Sequence, residues 1–239
     1  MRFNSITKEI IMSSFLDAVL EEVLAQVQDS PAAQTIVGDA TDNQLFGLTG
    51  NDFISGLGGN DLIDGGTGND QLAGGDGIDT LTGGIKNDQF IFDGNVFANG
   101  TPALAGQTGI AVLNRPDIIP DYTIGEDQFV FNGQDLGIEN FVFQEGTSSQ
   151  IGDGNAIVLL DPFPAAGAAA RAIANNPNIT ADEGVFVYFN STLGISRLVY
   201  SRDLSDGGDI SVLANLTSQQ GAAGLANIGN FSGADFALI

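Results

Sequence analysis

A nine-residue repeat in the first half of the chain constrains the fold more than any other feature. Six frames follow one another without a gap from Gly38 to Ile91, beginning with GDATDNQLF and ending with GGIKNDQFI. The first residue of every frame is glycine, the sixth is Asn or Asp, and the eighth is apolar. A disordered glycine-rich linker would not keep an apolar residue at every eighth position, so the segment is expected to fold.

Each position of the repeat has a physical task. Glycines at the first, second and fourth positions permit a turn with positive φ, and the acidic residue ends that turn. Positions seven to nine then form a short strand whose eighth side chain points inward and whose neighbours point outward. The predicted inward residues are Leu45, Ile54, Ile63, Leu72, Leu81 and Phe90.

Charge and composition limit the kinds of ligand that the chain can bind. The formal net charge is -23, from 7 Lys and Arg against 30 Asp and Glu, so the chain repels nucleic acid and anionic lipid and attracts cations. The absence of Cys and His excludes disulfides, thiolate or imidazole zinc sites and Ser-His catalysis. A hydrophobic content of 43% is enough for a folded core.

The six frames resemble the repeat-in-toxin (RTX) calcium-binding nonapeptide. The resemblance implies a right-handed parallel β-roll in which two frames complete one coil, so that turns stack on turns two frames away. Stacked carboxylates and carbonyls suit calcium, which takes several oxygen ligands, better than magnesium. Three good calcium sites are expected, at Asp52 with Asp70, Asp61 with Asp79, and Asp70 with Asp88.

Two further features of the metal sites follow from the same resemblance. Asn43 with Asp61 would form a weaker fourth site, because Asn43 carries no charge and Thr41 replaces a turn glycine. Lys86 replaces a turn glycine near Asp88 and is expected to weaken that site. The candidate ligands supplied by turn residues are Gly47, Thr49, Gly56, Gly58, Gly65, Thr67, Gly74 and Asp76.

Calcium is expected to decide whether the repeats fold. The few inward apolar side chains do not offset the ordering entropy of such a glycine-rich stretch, so metal binding must supply part of the difference. Extracellular calcium modules bind with dissociation constants of about 10⁻⁴–10⁻³ M, which predicts a region that is unfolded in the cytosol and folded outside the cell.

The segment before the repeats, residues 1–37, is predicted to contain an amphipathic helix from Ser14 to Val27. This helix would cover one end of the following domain or dock to a partner. The N-terminus lacks the features of a cleaved signal peptide, and no segment is long and apolar enough to span a bilayer.

Residues 92–239 lose the nine-residue register and read as a β-rich domain with one short helix. Gly94–Arg115 is predicted to be a loop, and Pro164–Asn175 to be the helix. Strands are expected at Glu139–Gln144, Ala156–Leu160, Val185–Asn190, Ser196–Ser201 and Ile210–Leu213, with a hairpin between the third and the fourth.

Pro116–Phe131 is similar to a strand-turn-strand element that follows the repeats in this family. Asp117, Asp121 and Asp127 would supply a further calcium ligand or, as the favoured interpretation, be solvated turn acids. The final ADFALI resembles the carboxyl-terminal signal of type I secretion substrates, although a core edge strand would have the same pattern. Together with the repeats, it favours a secreted protein.

Function is less constrained than fold, because RTX repeats accompany many activities. Missing histidines and the lack of a GxSxG motif exclude the family's proteases and lipases, while a two-carboxylate glycosidase or lyase stays conceivable. The leading hypothesis is a non-catalytic, secreted calcium-binding protein that self-associates in a matrix, sheath, filament or surface layer. The alternative is an extracellular polysaccharide- or surface-binding module, which exposed aromatic side chains would favour.

Overall fold

The structure is a computed structural model that describes residues 32–94, 96, 103–104, 111–207 and 209–239. The side chains of 103–104 and 111–114 are outside the description. Ala32–Ile239 forms one compact unit. The helix expected at Ser14–Val27 lies outside the described residues.

The first sheet, which we call sheet A, is parallel throughout. It runs in the order β1–β3–β5–β7–β10–β16. Its strands are β1 (Thr35–Val37), β3 (Phe53–Ser55), β5 (Gln71–Ala73), β7 (Gln89–Phe92), β10 (Gln128–Phe131) and β16 (Phe236–Leu238).

The second sheet, sheet B, begins with the other strands of the repeats and continues into the C-terminal half. It runs in the order β2–β4–β6–β9–β15–β14–β13–β12–β11, with β8 paired to β9. Its strands are β2 (Gln44–Phe46), β4 (Leu62–Thr67), β6 (Thr80–Ile85), β8 (Ala103–Leu104), β9 (Ala111–Ile119), β11 (Phe143–Gly146), β12 (Ala156–Phe163), β13 (Gly184–Asn190), β14 (Ile195–Ser201) and β15 (Ile210–Gln220).

Successive frames therefore alternate between the two sheets, and two frames complete one coil, as predicted. Ile54 lies beside Leu72 in sheet A, and Ile63 lies beside Leu81 in sheet B. The eighth residues from Ile54 to Phe90 are fully buried, whereas Leu45 in the first coil is only partly buried. The parallel β-roll is confirmed.

Three α-helices lie in the C-terminal half: α1 (Gly133–Leu136), α2 (Ala166–Ala174) and α3 (Gly221–Asn227). Helix α2 confirms the predicted helix, whereas α1 and α3 were not anticipated. Helix α1 is a single turn capped by the Asn132 side chain, so it has no hydrophobic periodicity to recognise. Short 3₁₀ turns occupy Ile228–Asn230 and Gly233–Asp235.

Two hydrophobic clusters flank the C-terminal half of sheet B. The larger one continues the interior of the roll and includes Phe90, Phe129 and Leu198. The other packs α2 against the opposite face through Ala169, Ile173 and Phe186. Strands β13 and β14 are buried on both faces, which accounts for their nearly continuous apolar sequences.

Several predicted boundaries shift in the structure. Thr35–Val37 was assigned to the N-terminal segment but forms β1, because its pattern matches positions seven to nine of a repeat and pairs with β3. Ala111–Arg115 was expected to be loop but belongs to β9. The change of pattern predicted at residue 91/92 falls inside the compact unit, since β9 and β10 extend both sheets of the roll.

The remaining strand predictions agree with the structure to within a few residues, except that β11 is displaced toward Gly146 and β12 and β15 are longer. The predicted hairpin is present, with Val185 opposite Tyr200 in an antiparallel pair. None of the helices in the described ranges is long and apolar enough to cross a membrane.

Candidate metal centre

The acidic residue at the sixth position of each frame belongs to a ladder that links successive coils. Asp70 Oδ1 accepts a hydrogen bond of 2.7 Å from the backbone N–H of Asp52, eighteen residues earlier. Asp88 Oδ1 accepts one of 2.9 Å from the N–H of Asp70. These turns lie on one side of the roll, so the predicted pairings of Asp52 with Asp70 and of Asp70 with Asp88 are adjacent in space.

The turns on the other side form a second ladder. Asp79 Oδ1 accepts from the N–H of Asp61 at 2.7 Å, and Asp61 Oδ1 accepts from the N–H of Asn43 at 2.8 Å. The structure thus brings together the remaining predicted pairs. Asn43 ends this ladder, because its own Oδ1 accepts from the N–H of Asp39 in the same turn.

Both ladders continue past the repeats. Asp117 Oδ1 accepts from the N–H of Asp79 at 3.0 Å, and Asp127 Oδ1 accepts from the N–H of Asp88 at 3.0 Å. Asp121 accepts from the N–H groups of Gly83 and Gly84 at 3.2 Å and 2.8 Å. The favoured interpretation as solvated turn acids was wrong for Asp117 and Asp127, because both carboxylates form ladder rungs at the end of the roll. Asp121 is a half-exposed turn residue, as that interpretation expected.

The second carboxylate oxygen of each sixth-position aspartate is buried and has no hydrogen-bond partner among the described residues. These oxygens are Oδ2 of Asp52, Asp61, Asp70, Asp79 and Asp88. The five side chains are at most 3% exposed. A buried, unpaired polar atom costs about 1–3 kcal/mol, and more when it carries charge, so either a proton or a cation is expected to neutralise these five oxygens.

The glycine that begins each frame leaves room beside this oxygen. A Cβ placed on Gly47 would lie 2.7 Å from Asp52 Oδ2 and 2.5 Å from the carbonyl oxygen of Gly65. A Cβ on Gly65 would lie 2.6 Å from Asp70 Oδ2 and 2.7 Å from the Gly83 carbonyl oxygen. The carboxylate of the same frame and a carbonyl of the next coil therefore lie beside one position, which no side chain occupies.

Backbone carbonyls of other predicted turn ligands already accept hydrogen bonds from backbone N–H groups. The Thr67 carbonyl accepts from the N–H of Gly50, and the Asp76 carbonyl accepts from the N–H of Gly59. Thr49 forms an isolated parallel β-bridge with Thr67, and Gly58 forms one with Asp76. Gly56 and Gly74 lie at the same kind of position as Gly47, since a Cβ on Gly56 would meet both Asp61 Oδ2 and the Gly74 carbonyl.

Burial makes six of the ladder carboxylates harder to ionise in the absence of metal. Loss of solvent raises the pKa of Asp61 and Asp70, that of Asp79 to about 6, and that of Asp88 to about 7. Burial likewise raises the pKa of Asp117 to about 8 and of Asp127 to about 6. Neighbouring aspartates add to the rise, and the backbone hydrogen bonds oppose it.

The donor set fits calcium. Each pair of stacked turns offers carboxylate oxygens and backbone carbonyls, all of which are hard oxygen ligands. No group of three or more His, Cys, Asp or Glu side chains suited to a metal occurs in the described part of the chain. A cation bound here would therefore use backbone carbonyls together with the aspartates.

Comparison with protein families agrees with this geometry. Residues 37–72 and 73–91 match the family model of the RTX calcium-binding nonapeptide repeat. The nine-residue frames are RTX repeats. The matched RTX segment ends at Ile91, so the Asp117 and Asp127 rungs lie beyond it. No curated protein matches the chain.

Sequence reasoning located the RTX aspartates but missed the backbone bonds that hold them. One oxygen of each stacked carboxylate accepts a hydrogen bond from a backbone N–H of the preceding coil. Sequence reasoning also missed Gln34, whose N–H donates to Asp52 Oδ1 at 2.7 Å and starts one ladder. The spacing of Gln34 and Asp52, eighteen residues, is the signal that would have found it.

Proposed function

We propose that this protein is a secreted calcium-binding RTX protein whose roll folds when it binds calcium outside the cell. The observation that carries the proposal is the row of five buried aspartate Oδ2 atoms without partners. A divalent cation would neutralise these atoms and join neighbouring coils. Dissociation constants typical of extracellular calcium modules would keep the roll metal-free at cytosolic calcium levels.

We propose three good sites, at the pairs Asp52–Asp70, Asp61–Asp79 and Asp70–Asp88. The pair of Asn43 and Asp61 would form the weaker fourth. Asn43 supports this ranking, because it carries no charge and its Oδ1 accepts a hydrogen bond from the N–H of Asp39 in the same turn. The rung at Asp117 offers one further position, because it continues the same hydrogen-bond pattern. Asp127 differs, since its Oδ2 accepts a hydrogen bond of 2.7 Å from the N–H of Thr123.

Two features support secretion. The repeats are expected to bind calcium at extracellular but not at cytosolic concentrations, and ADFALI resembles a type I secretion signal. In the folded unit Phe236–Leu238 pairs with β10 as the last strand of sheet A. The type I machinery would therefore recognise this segment before the roll folds. Calcium-driven folding outside the cell would then incorporate this segment into sheet A.

A structural, self-associating role is the leading biological proposal, and we assign no catalytic activity. Strands β1 and β2 are outer strands of their sheets within the described residues, and they expose Val37 and Phe46. Unpaired apolar strand edges favour association with another chain. Polysaccharide binding is the second candidate, because Phe53 is an exposed aromatic side chain.

The test is a calcium titration of the purified full chain, followed by circular dichroism and static light scattering. We expect strand signal to appear with calcium and to disappear with chelator, and the scattering mass to rise with calcium. Val37→Lys should lower the mass without changing the strand signal, with Leu193→Lys, an exposed hairpin residue, as control. A monomer at every calcium level would refute self-association, and a calcium-independent strand signal would refute calcium-driven folding.

A further inference from the structure

A polar cavity of about 360 Å³ lies along sheet A where its strands leave the turns. Three successive coils line it with similar three-residue segments: Asn69-Asp70-Gln71, Asn87-Asp88-Gln89 and Glu126-Asp127-Gln128. The third segment comes from outside the repeats and has Glu126 in place of the Asn. The cavity therefore presents the same Asp-Gln pair three times, at the strand spacing of about 4.7–4.9 Å.

The glutamines form a row across the outer face of sheet A. Gln71, Gln89 and Gln128 are in register on three neighbouring strands. Gln89 Nε2 donates to Gln128 Oε1 at 3.1 Å, and Gln128 Nε2 donates to the Ala234 carbonyl at 2.9 Å. The exposed Gln71 amide has no hydrogen-bond partner among the described residues, so it is available to a ligand.

An aromatic side chain continues the row on the next strand. Phe53 pairs in register with Gln71 and is 37% exposed. Its ring is not stacked on another ring within the described ranges. An exposed ring beside a line of amides combines an apolar platform with donors and acceptors, which is the chemistry that recognises a sugar chain.

The charge of the cavity limits the ligand further. The charged side chains that line it are all carboxylates: Asp70, Asp88, Asp127 and Glu126. Their charge disfavours an anionic polysaccharide. Asp70, Asp88 and Asp127 are buried in the ladder, so only the exposed Glu126 can accept hydrogen bonds from hydroxyl groups. The strand spacing is close to the length of one ring in an extended, β-1,4-linked chain, so successive rings would meet successive glutamines.

We propose that the row from Phe53 through Gln71 and Gln89 to Gln128 binds an uncharged, extended β-1,4-linked polysaccharide. Phe53 would stack on one sugar ring, and the amides would bind the hydroxyl groups of the following rings. The site deepens the polysaccharide-binding candidate and rests on it. The row uses side chains outside the aspartate ladder, so its chemistry is separate from the proposed metal binding.

The test is isothermal titration of the calcium-saturated full chain with cellohexaose. We expect binding, and we expect Phe53→Ala and Gln71→Ala each to weaken it at least tenfold. Gln44→Ala and Phe46→Ala are matched controls, because they lie on exposed strand positions of the repeats in sheet B and should leave the affinity unchanged. Tetragalacturonic acid, which is anionic, should not bind.

Absence of cellohexaose binding by the wild-type chain would overturn the proposal, as would equal losses in the sheet A and sheet B variants. Gln71→Glu provides a second test in which the site gains a charge at an exposed position; it should also lose affinity. The calcium-induced circular dichroism signal is recorded for every variant. A normal calcium response without sugar binding refutes only this site, whereas a missing calcium response refutes calcium-driven folding.

Discussion

The repeat coils and the hairpin half of sheet B are held together in different ways. In the repeats each three-residue strand contributes one inward apolar residue, and the turns contain buried carboxylates with unpartnered oxygens. In β13 and β14 nearly every residue is buried, with hydrophobic clusters on both faces. Apolar burial accounts for the second region, whereas we propose that the first also depends on a bound cation.

The largest expected effect on this comparison comes from a glycine that touches the neighbouring coil. Gly68 has a φ of 151°, and a Cβ there would collide with the Gly50 carbonyl. Gly194 in the hairpin has a φ of 72°, and nothing lies within 4 Å of its Cβ position. We expect Gly68→Ala to destabilise the calcium-bound chain by about 4 kcal/mol or more and Gly194→Ala by about 1–2 kcal/mol.

Urea unfolding of the two alanine variants in saturating calcium measures this difference. Loss of ellipticity on urea addition gives the free energy of unfolding for each. Similar values would show that the repeat turns tolerate a side chain between coils, contrary to the tight stacking described above.

The next effect concerns the number of bound calcium ions. Asp70 belongs to two proposed sites and Asp52 to one, so Asp70→Asn should remove more bound calcium than Asp52→Asn. Asparagine keeps an Oδ1 acceptor for the ladder while removing the charge. Asp64→Asn, on the outer face of β4, is the control and should bind like wild type. Equilibrium dialysis at pH 8 gives the stoichiometry, and equal losses for Asp52 and Asp70 would contradict the stacking scheme.

A smaller effect is expected from pH. Without calcium the folded state takes up protons, because burial raises the pKa of Asp79 and Asp127 to about 6, of Asp88 to about 7 and of Asp117 to about 8. The resulting stabilisation of the metal-free fold is complete below the ordinary aspartate pKa and is lost as the pH rises through 6 to 8.

The metal-free chain should therefore show more strand signal at pH 5 than at pH 8, because the folded state holds protons that the unfolded state has lost. Circular dichroism of the chelator-treated chain at several pH values measures this difference. A metal-free strand signal that does not rise on acidification would show that burial of the ionised ladder carboxylates does not oppose folding.

The smallest effect is a gain of function. Lys86 has a φ of 97° where four of the other five frames have glycine. Burial raises the pKa of Asp70, and the charge of Lys86 opposes that rise. Lys86→Gly should tighten calcium binding about two- to fivefold by removing a positive charge and a strained backbone conformation. Lys86→Ala removes only the charge and should give part of the gain. Unchanged affinity in both variants would show that Lys86 does not influence the metal.

The sequence allowed the roll to be predicted because its turn, strand and inward positions recur at one period. The extension of the ladders was harder to foresee, since Asp117 and Asp127 lie 38 and 39 residues from their partners instead of 18. No periodicity survives such an insertion. The glutamine row was also missed, because its third member, Gln128, joins the repeats only through the register of β10 with β7.

Hydrogen–deuterium exchange on the full chain, with and without calcium, tests the central claim most directly. Without calcium we expect amides of Gly38–Ile91 to exchange rapidly while those of β13 and β14 stay more protected. Calcium should then protect the repeats, beginning with the ladder amides of Asp52, Asp61 and Asp70. Strong protection of the repeats after complete removal of divalent ions would contradict the account.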